Sequence, residues 1–112
     1  MIPNSVIENC IEDLYNITKT DIAAYDGRGK LIVCAGDVKT ESSHLQAFLD
    51  SPADSQVIGE SHLMKVTEDE ENAYIIVTGG QGDNAYNVGR IAVSQIKALQ
   101  IAYQEKYDKN SF

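Results

Sequence analysis

The pattern of hydrophobic and polar positions predicts three helices. Apolar residues recur with a period of about 3.6 in residues 5–18, residues 41–50 and residues 83–107. Residues suited to N-caps stand at the start of each segment, namely Asn4 or Ser5, then Thr40, Ser42 or Ser43, then Asp83 or Asn84. Pro52 ends the second helix, because the residue before a proline disfavours helical backbone angles.

Short apolar runs between the helices predict strands. Residues 21–25 and 30–35 flank the turn Asp26-Gly27-Arg28-Gly29, which predicts a β-hairpin because these residue types accept positive φ. Further strands are predicted at residues 56–59, 61–67 and 73–78, with a solvated acidic turn at 68–72. The order contains no strand–helix–strand unit of the kind that a parallel sheet needs. The predicted class is α+β, with about five antiparallel strands and the N- and C-terminal helices packed on them, the helices covering one face.

Composition and charge allow one domain and argue against several partners. The 112 residues are 43% hydrophobic, which is enough for a single core. There are 17 Asp and Glu against 9 Lys and Arg, a net charge of -8 that repels nucleic-acid phosphates and anionic membranes. No apolar run approaches the roughly 20 residues that span a bilayer, and the first residues do not resemble a signal peptide. We therefore expect a cytoplasmic domain that binds neither nucleic acid nor membrane.

Few side chains suggest catalysis or metal binding. Cys10 and Cys34 lack the spacing of a metal site, so we expect both to be buried as small hydrophobic residues. His44 and His62 have carboxylates nearby but not the two-histidine helical spacing, and we expect them to be exposed polar residues. No serine stands in a nucleophile elbow. The sequence therefore predicts that the protein is not an enzyme and holds no cofactor.

Two local features suggest an anion site instead. The glycine-rich segment before the last helix offers the amides of Gly80 and Gly82, with Asn84 at the helix start, where the helix dipole favours negative charge. The alternative is a plain turn into a helix, for which glycine is the usual residue. Arg90 follows among apolar neighbours; if it points inward it needs an anionic partner, and otherwise it is an exposed helix residue.

Three segments, residues 21–33, 51–56 and 86–92, resemble the N-terminal sensor domain of bacterial regulators of the carbohydrate-diacid (CdaR) and purine-catabolism (PucR) type. The resemblance covers nearly the whole chain, and its most particular pieces surround Asp54 and Arg90. It implies a ligand-recognition domain resembling a PAS or GAF module, and it adds Asp54, Ser55 and Gln56 to the candidate ligand-binding residues. It also implies that residues 1–112 are the N-terminal part of a longer regulator, with the DNA-binding part outside this chain.

Two functions follow as hypotheses. The first is a domain that binds a small anionic or polar metabolite between sheet and helices and forms a homodimer through its terminal helices. The dimer is suggested by a second apolar set on the first helix, Val6, Cys10 and Ile17. The second is a ligand-free interaction module of the profilin or roadblock-like type, for which the space between sheet and helices would be filled by side chains.

Overall fold

The computed structural model describes residues 2–38, 40–67, 73–80 and 82–110, with side chains described as far as residue 104. The predicted acidic turn at 68–72 lies outside these residues. The helices and strands, in chain order, are α1 Asn4–Thr18, β1 Ile22–Asp26, β2 Leu31–Ala35, α2 Ser42–Asp50, β3 Ser55–Ile58, β4 Ser61–Thr67, β5 Ala73–Gly79 and α3 Asp83–Asn110.

The five strands form one antiparallel sheet in the order β2-β1-β5-β4-β3. The predicted α+β class and the hairpin of β1 and β2 are confirmed, and β4 pairs with β5 as expected. Strand β3 pairs only with β4, after the tight turn at Gly59 and Glu60, where Gly59 has a φ of 61°. Strands β2 and β3 are therefore the two edges of the sheet.

Asp26 shapes the turn between β1 and β2. Its Oδ1 accepts hydrogen bonds of 2.9 Å from the backbone amides of both Arg28 and Lys30. Gly29 takes a φ of 84°, which glycine adopts without steric cost, and its amide donates to the Asp26 carbonyl. A single aspartate thus satisfies two loop amides that would otherwise rely on water.

Helices cover both faces of the sheet, so the prediction that they cover one face is wrong. One hydrophobic cluster joins α1 and α3 to the sheet, and a second, on the opposite face, joins α2 through Leu45 and Phe48. The alternation of side chains along a strand separates the two clusters: Met64 and Val66 of β4 belong to the first, and Leu63 belongs to the second. The order of the elements did not reveal on which face each helix lies, because the central strands carry apolar residues on both faces.

Helix α3 approaches the sheet most closely at Gly89. A Cβ atom at Gly89 would lie 2.9 Å from both Sδ and Cε of Met64, which is only 2% exposed. The start of α3 is tied down by two bonds: Thr78 Oγ1 donates to the Ala85 carbonyl at 2.9 Å, and Asn84 Nδ2 donates to Thr20 Oγ1 at 2.9 Å. There is no room at this point for a ligand between α3 and the sheet.

The predicted caps of the first two helices are wrong. The residue before α1 is Pro3 and the residue before α2 is Glu41, and neither makes a side-chain cap hydrogen bond. In α3, Asp83 is the first helical residue, and the Asn84 side chain bonds to Thr20. The first amides of α1 and α2 bond to the backbone carbonyls of Pro3 and Glu41, and among the described residues only α3 has a long-range side-chain bond at its start.

Candidate functional site

A cavity of about 220 Å³ lies at the margin of the sheet, between the β3 edge and α3. It brings together three of the residues predicted to bind ligand, Asp54, Ser55 and Arg90. Its remaining lining residues are Met64, Lys65, Thr67, Val93 and Lys97. Arg90 therefore lies near the Asp54 segment although the two are far apart in sequence, and the cavity lies at the edge of the sheet rather than at its centre.

Regular spacing explains why these residues share one side. Arg90, Val93 and Lys97 follow one another at steps of three and four along α3, and so lie on one face of the helix. In the sheet, Ser55 pairs with Met64, so the start of β3 stands beside the floor of the cavity. Lys97 was missed from the sequence, although its position two turns after Arg90 was a visible signal.

Two cations at this cavity have no partner among the described residues. Arg90 and Lys97 are exposed, and within the described residues neither side chain makes a hydrogen bond or an ion pair. The Lys65 ammonium is engaged elsewhere, since its Nζ donates to the Ser51 carbonyl at 2.7 Å and lies 4.7 Å from the centre of the Phe48 ring. Two unpaired cations beside hydroxyl groups are suited to a small anion.

The other predicted residues lie elsewhere. Gly80 lies at the opposite end of the sheet, and its amide already donates to the Glu60 carbonyl at 2.6 Å. The carbonyl of Gly82 accepts from the Tyr86 amide as α3 begins, and Asn84 bonds to Thr20. Gln56 is exposed on β3 beside Ser55. The candidate residues therefore form two groups, and only the group around Arg90 lines the cavity between β3 and α3.

A second cavity, of about 490 Å³, lies beside Gly80 and has the opposite charge. Its charged and titratable lining residues are Asp21, Asp37, Glu41, Glu60 and His44. Four carboxylates in one cavity disfavour an anion there. Within the residues that the structure describes, no group of three or more His, Cys, Asp or Glu side chains is arranged to hold a metal ion.

His62 departs from its prediction because it is buried, at 8% exposure, and not exposed. Its Nδ1 lies 3.0 Å from the Gly80 carbonyl, so this nitrogen carries the proton and donates. The ring meets Tyr86 edge to face, with 5.8 Å between centroids. Neither His62 nor His44 hydrogen-bonds to a carboxylate in the described structure, so the pairing that general base catalysis needs is not seen there.

The two cysteines also differ from each other. Cys10 is half-buried between α1 and α3, where its Sγ donates to Gln95 Oε1 at 2.9 Å. Burial, with a further contribution from Asp13, raises the pKa of the Cys10 thiol. Cys34 is exposed, so the prediction that both cysteines are buried is wrong for this one. Its strand lies at the sheet edge, where only one side chain in two is covered.

Comparison with known proteins assigns no family: the chain has no significant match among protein-family models or curated proteins. Among the helices of the described residues, none combines the length and apolar character needed to cross a bilayer.

Proposed function

We propose that this chain is the small-molecule-sensing and dimerisation domain of a bacterial cytoplasmic transcriptional regulator, and that its ligand is a small anion. One observation carries the proposal: Arg90 and Lys97, which have no partner within the part of the chain that the structure describes, line one cavity in a protein whose net charge is -8. Two cations that line one cavity together with hydroxyl groups are suited to bind a small anion. The resemblance to CdaR and PucR sensor domains supports the same function.

The position of the cavity suggests how binding is transmitted. Its walls belong to the β3 edge on one side and to α3 on the other, so an anion held by both fixes their separation. Helix α3 has 28 residues, about 42 Å, whereas the seven residues of β4 span about 24 Å. A small displacement at Arg90 is therefore carried along a rigid helix to its C-terminal end, where the next part of a regulator would be attached.

The dimer is proposed to form through the terminal helices. Ile17 of α1 is 79% exposed, and Ile91 and Ile101 of α3 are 44% and 54% exposed. Exposed isoleucines on two adjacent helices favour a protein contact over a solvated surface. Sedimentation of the wild type and of Ile17→Glu tests this proposal: we expect the wild type to be dimeric and the variant monomeric, and a monomeric wild type would overturn it.

The ligand proposal is tested by thermal unfolding with phosphate, citrate or acetate at low ionic strength. An anion that binds the native state raises the melting temperature in proportion to the logarithm of its concentration. We expect Arg90→Gln and Lys97→Gln to remove this shift without changing the fold. The matched control is Arg28→Gln, which removes the same charge at the β1–β2 turn, near the opposite edge of the sheet, and is expected to keep the shift. Equal loss in the control would show that general charge, and not this cavity, binds the anion.

The ligand-free interaction module remains a second candidate, favoured by the packing at Gly89. The contact of α3 with Met64 leaves no space between α3 and the sheet at this point, as expected for a module that only pairs with a partner. This function predicts a stable dimer whose melting temperature does not respond to any of the three anions. The thermal unfolding series therefore separates the two candidates.

A further inference from the structure

A small apolar surface lies beside the cavity that Arg90 and Lys97 line, in the groove between β3 and α3. It consists of Val57, His62 and Tyr86, and we call it the aromatic shelf. Val57 is 48% exposed and Tyr86 is 41% exposed, which is high for large apolar side chains on regular elements. His62 lies between them, since it pairs with Val57 across the strands and its ring contacts the Tyr86 ring.

The register places the shelf directly beside the cations. Val57 follows the cavity residue Ser55 by one strand repeat, about 7 Å, on the same face of β3. Tyr86 precedes Arg90 by four residues on α3, so their side chains are neighbours on one side of the helix. The groove between β3 and α3 is thus apolar at one end and cationic at the other.

The shelf is also preorganised. The bond from His62 Nδ1 to the Gly80 carbonyl fixes the imidazole ring, and the edge-to-face contact at 5.8 Å orients the Tyr86 ring. The His62 and Tyr86 rings are therefore already fixed before a ligand binds. An apolar ligand group placed on them costs little free energy for ordering these side chains. Since the Met64 floor of the cavity is buried, the groove accepts a ligand from its open side only.

We propose that the ligand is an amphiphilic organic acid, whose carboxylate binds Arg90 and Lys97 and whose alkyl or aryl group lies on the aromatic shelf. This inference rests on the proposed anion-sensing function and specifies its ligand class. The charge of the cationic end selects the acid, and the exposed Val57 and Tyr86 select the apolar tail. A cavity of about 220 Å³ suits an acid of small size.

The test is a titration with acetate, butyrate, hexanoate and phenylacetate, followed by amide chemical shifts in two-dimensional NMR spectra. Each methylene buried on the shelf is expected to tighten binding by up to about threefold to fourfold. Hexanoate and phenylacetate should therefore bind at least tenfold more tightly than acetate, with shift changes at residues of β3 and the first half of α3. Tyr86→Ser and Val57→Ser should reduce this preference while acetate still binds; the matched control is Leu31→Ser, an apolar residue of β2 that is 50% exposed at the opposite edge of the sheet.

The outcomes separate this inference from the function on which it rests. If all four acids bind with equal affinity at Arg90, the shelf plays no part and the inference is wrong, whereas anion sensing stands. If neither these acids nor phosphate and citrate bind, both proposals fail. If the longer acids bind tightly but shift residues of the α2 face, the apolar tail is held elsewhere and the inference is again overturned.

Discussion

Gly89 stands in the second turn of α3 directly against Met64, and a side chain at Gly89 would occupy space that the methionine thioether already fills. The absence of a Cβ atom allows α3 to lie close to β4 and β5 at this point. It also sets the height of Arg90, the next residue, above the sheet edge. Close packing against Met64 thus explains why residue 89 is a glycine, whereas Arg90, the next residue, lines the cavity.

Replacing Gly89 by leucine should lower the free energy of unfolding by about 1–3 kcal/mol, because the added side chain overpacks a filled interface. Met64 is too deeply buried to move aside freely. Urea unfolding measures the change, with Ser94→Leu on the exposed side of the same helix as the control. Equal stability of the two variants would mean that α3 does not lie this close to the sheet.

Replacing Asp26 by alanine should destabilise the protein by about 1–2 kcal/mol, since two loop amides lose their acceptor. Asp26→Asn keeps an oxygen in the same place and should cost clearly less. Thermal unfolding of the two variants provides the comparison. A loss that is as large for asparagine as for alanine would assign the effect to charge and not to the hydrogen bonds.

The register of β3 predicts that proline is tolerated at Val57 but destabilises the protein at Gln56. The Lys65 amide donates to the Asp54 carbonyl at 2.9 Å, which makes Asp54 and Lys65 a hydrogen-bonded pair. Hydrogen-bonded and non-hydrogen-bonded pairs alternate along an antiparallel ladder, so Gln56 is in a hydrogen-bonded pair and Val57 is not. The Val57 amide points away from the sheet. Val57→Pro should therefore change stability by less than about 1 kcal/mol, whereas Gln56→Pro should cost about 3 kcal/mol.

Denaturant midpoints of the two proline variants, measured side by side, test this register. If Val57→Pro were the more damaging of the two, β3 would be paired one residue out of the observed register, and the side chains of Ser55 and Val57 would face α2. The groove described above would then not exist. The same experiment therefore checks the geometry on which the ligand proposals depend.

Alkaline pH should destabilise the protein. Burial raises the pKa of Tyr74, with a further contribution from Asp26, and burial likewise raises the pKa of Tyr25 and of Cys10. The unfolded chain gives up these protons at a lower pH than the native state does. Stability is therefore intact below about pH 8 and falls as the pH rises through the range where cysteine and then tyrosine ordinarily ionise.

The role of Tyr74 in this alkaline loss is tested with Tyr74→Phe, which keeps the ring but has no ionisable group. Urea unfolding of both proteins between pH 7 and pH 11 should show a shallower decline for the variant. Parallel declines would mean that the loss arises from other groups.

Local patterns in the sequence determined the elements. The spacing of Ile7, Ile11 and Leu14 predicted α1, and the turn at Asp26 predicted the first hairpin, because helix periodicity and turn chemistry depend on residues close together in the chain. The antiparallel α+β class followed from the order of elements. Arg90 was also recognised from the sequence, as a cation among apolar neighbours that has a special role if it meets an anion.

Only the tertiary structure decided which distant residues meet. It placed Lys97 and Ser55 beside Arg90, set α2 on the opposite face from α1 and α3, and buried His62 against Tyr86. These relationships depend on strand order and on the height of α3 above the sheet, which the close contact at Gly89 sets. Pairing between strands and packing between layers join residues far apart in the chain, and no local pattern records them.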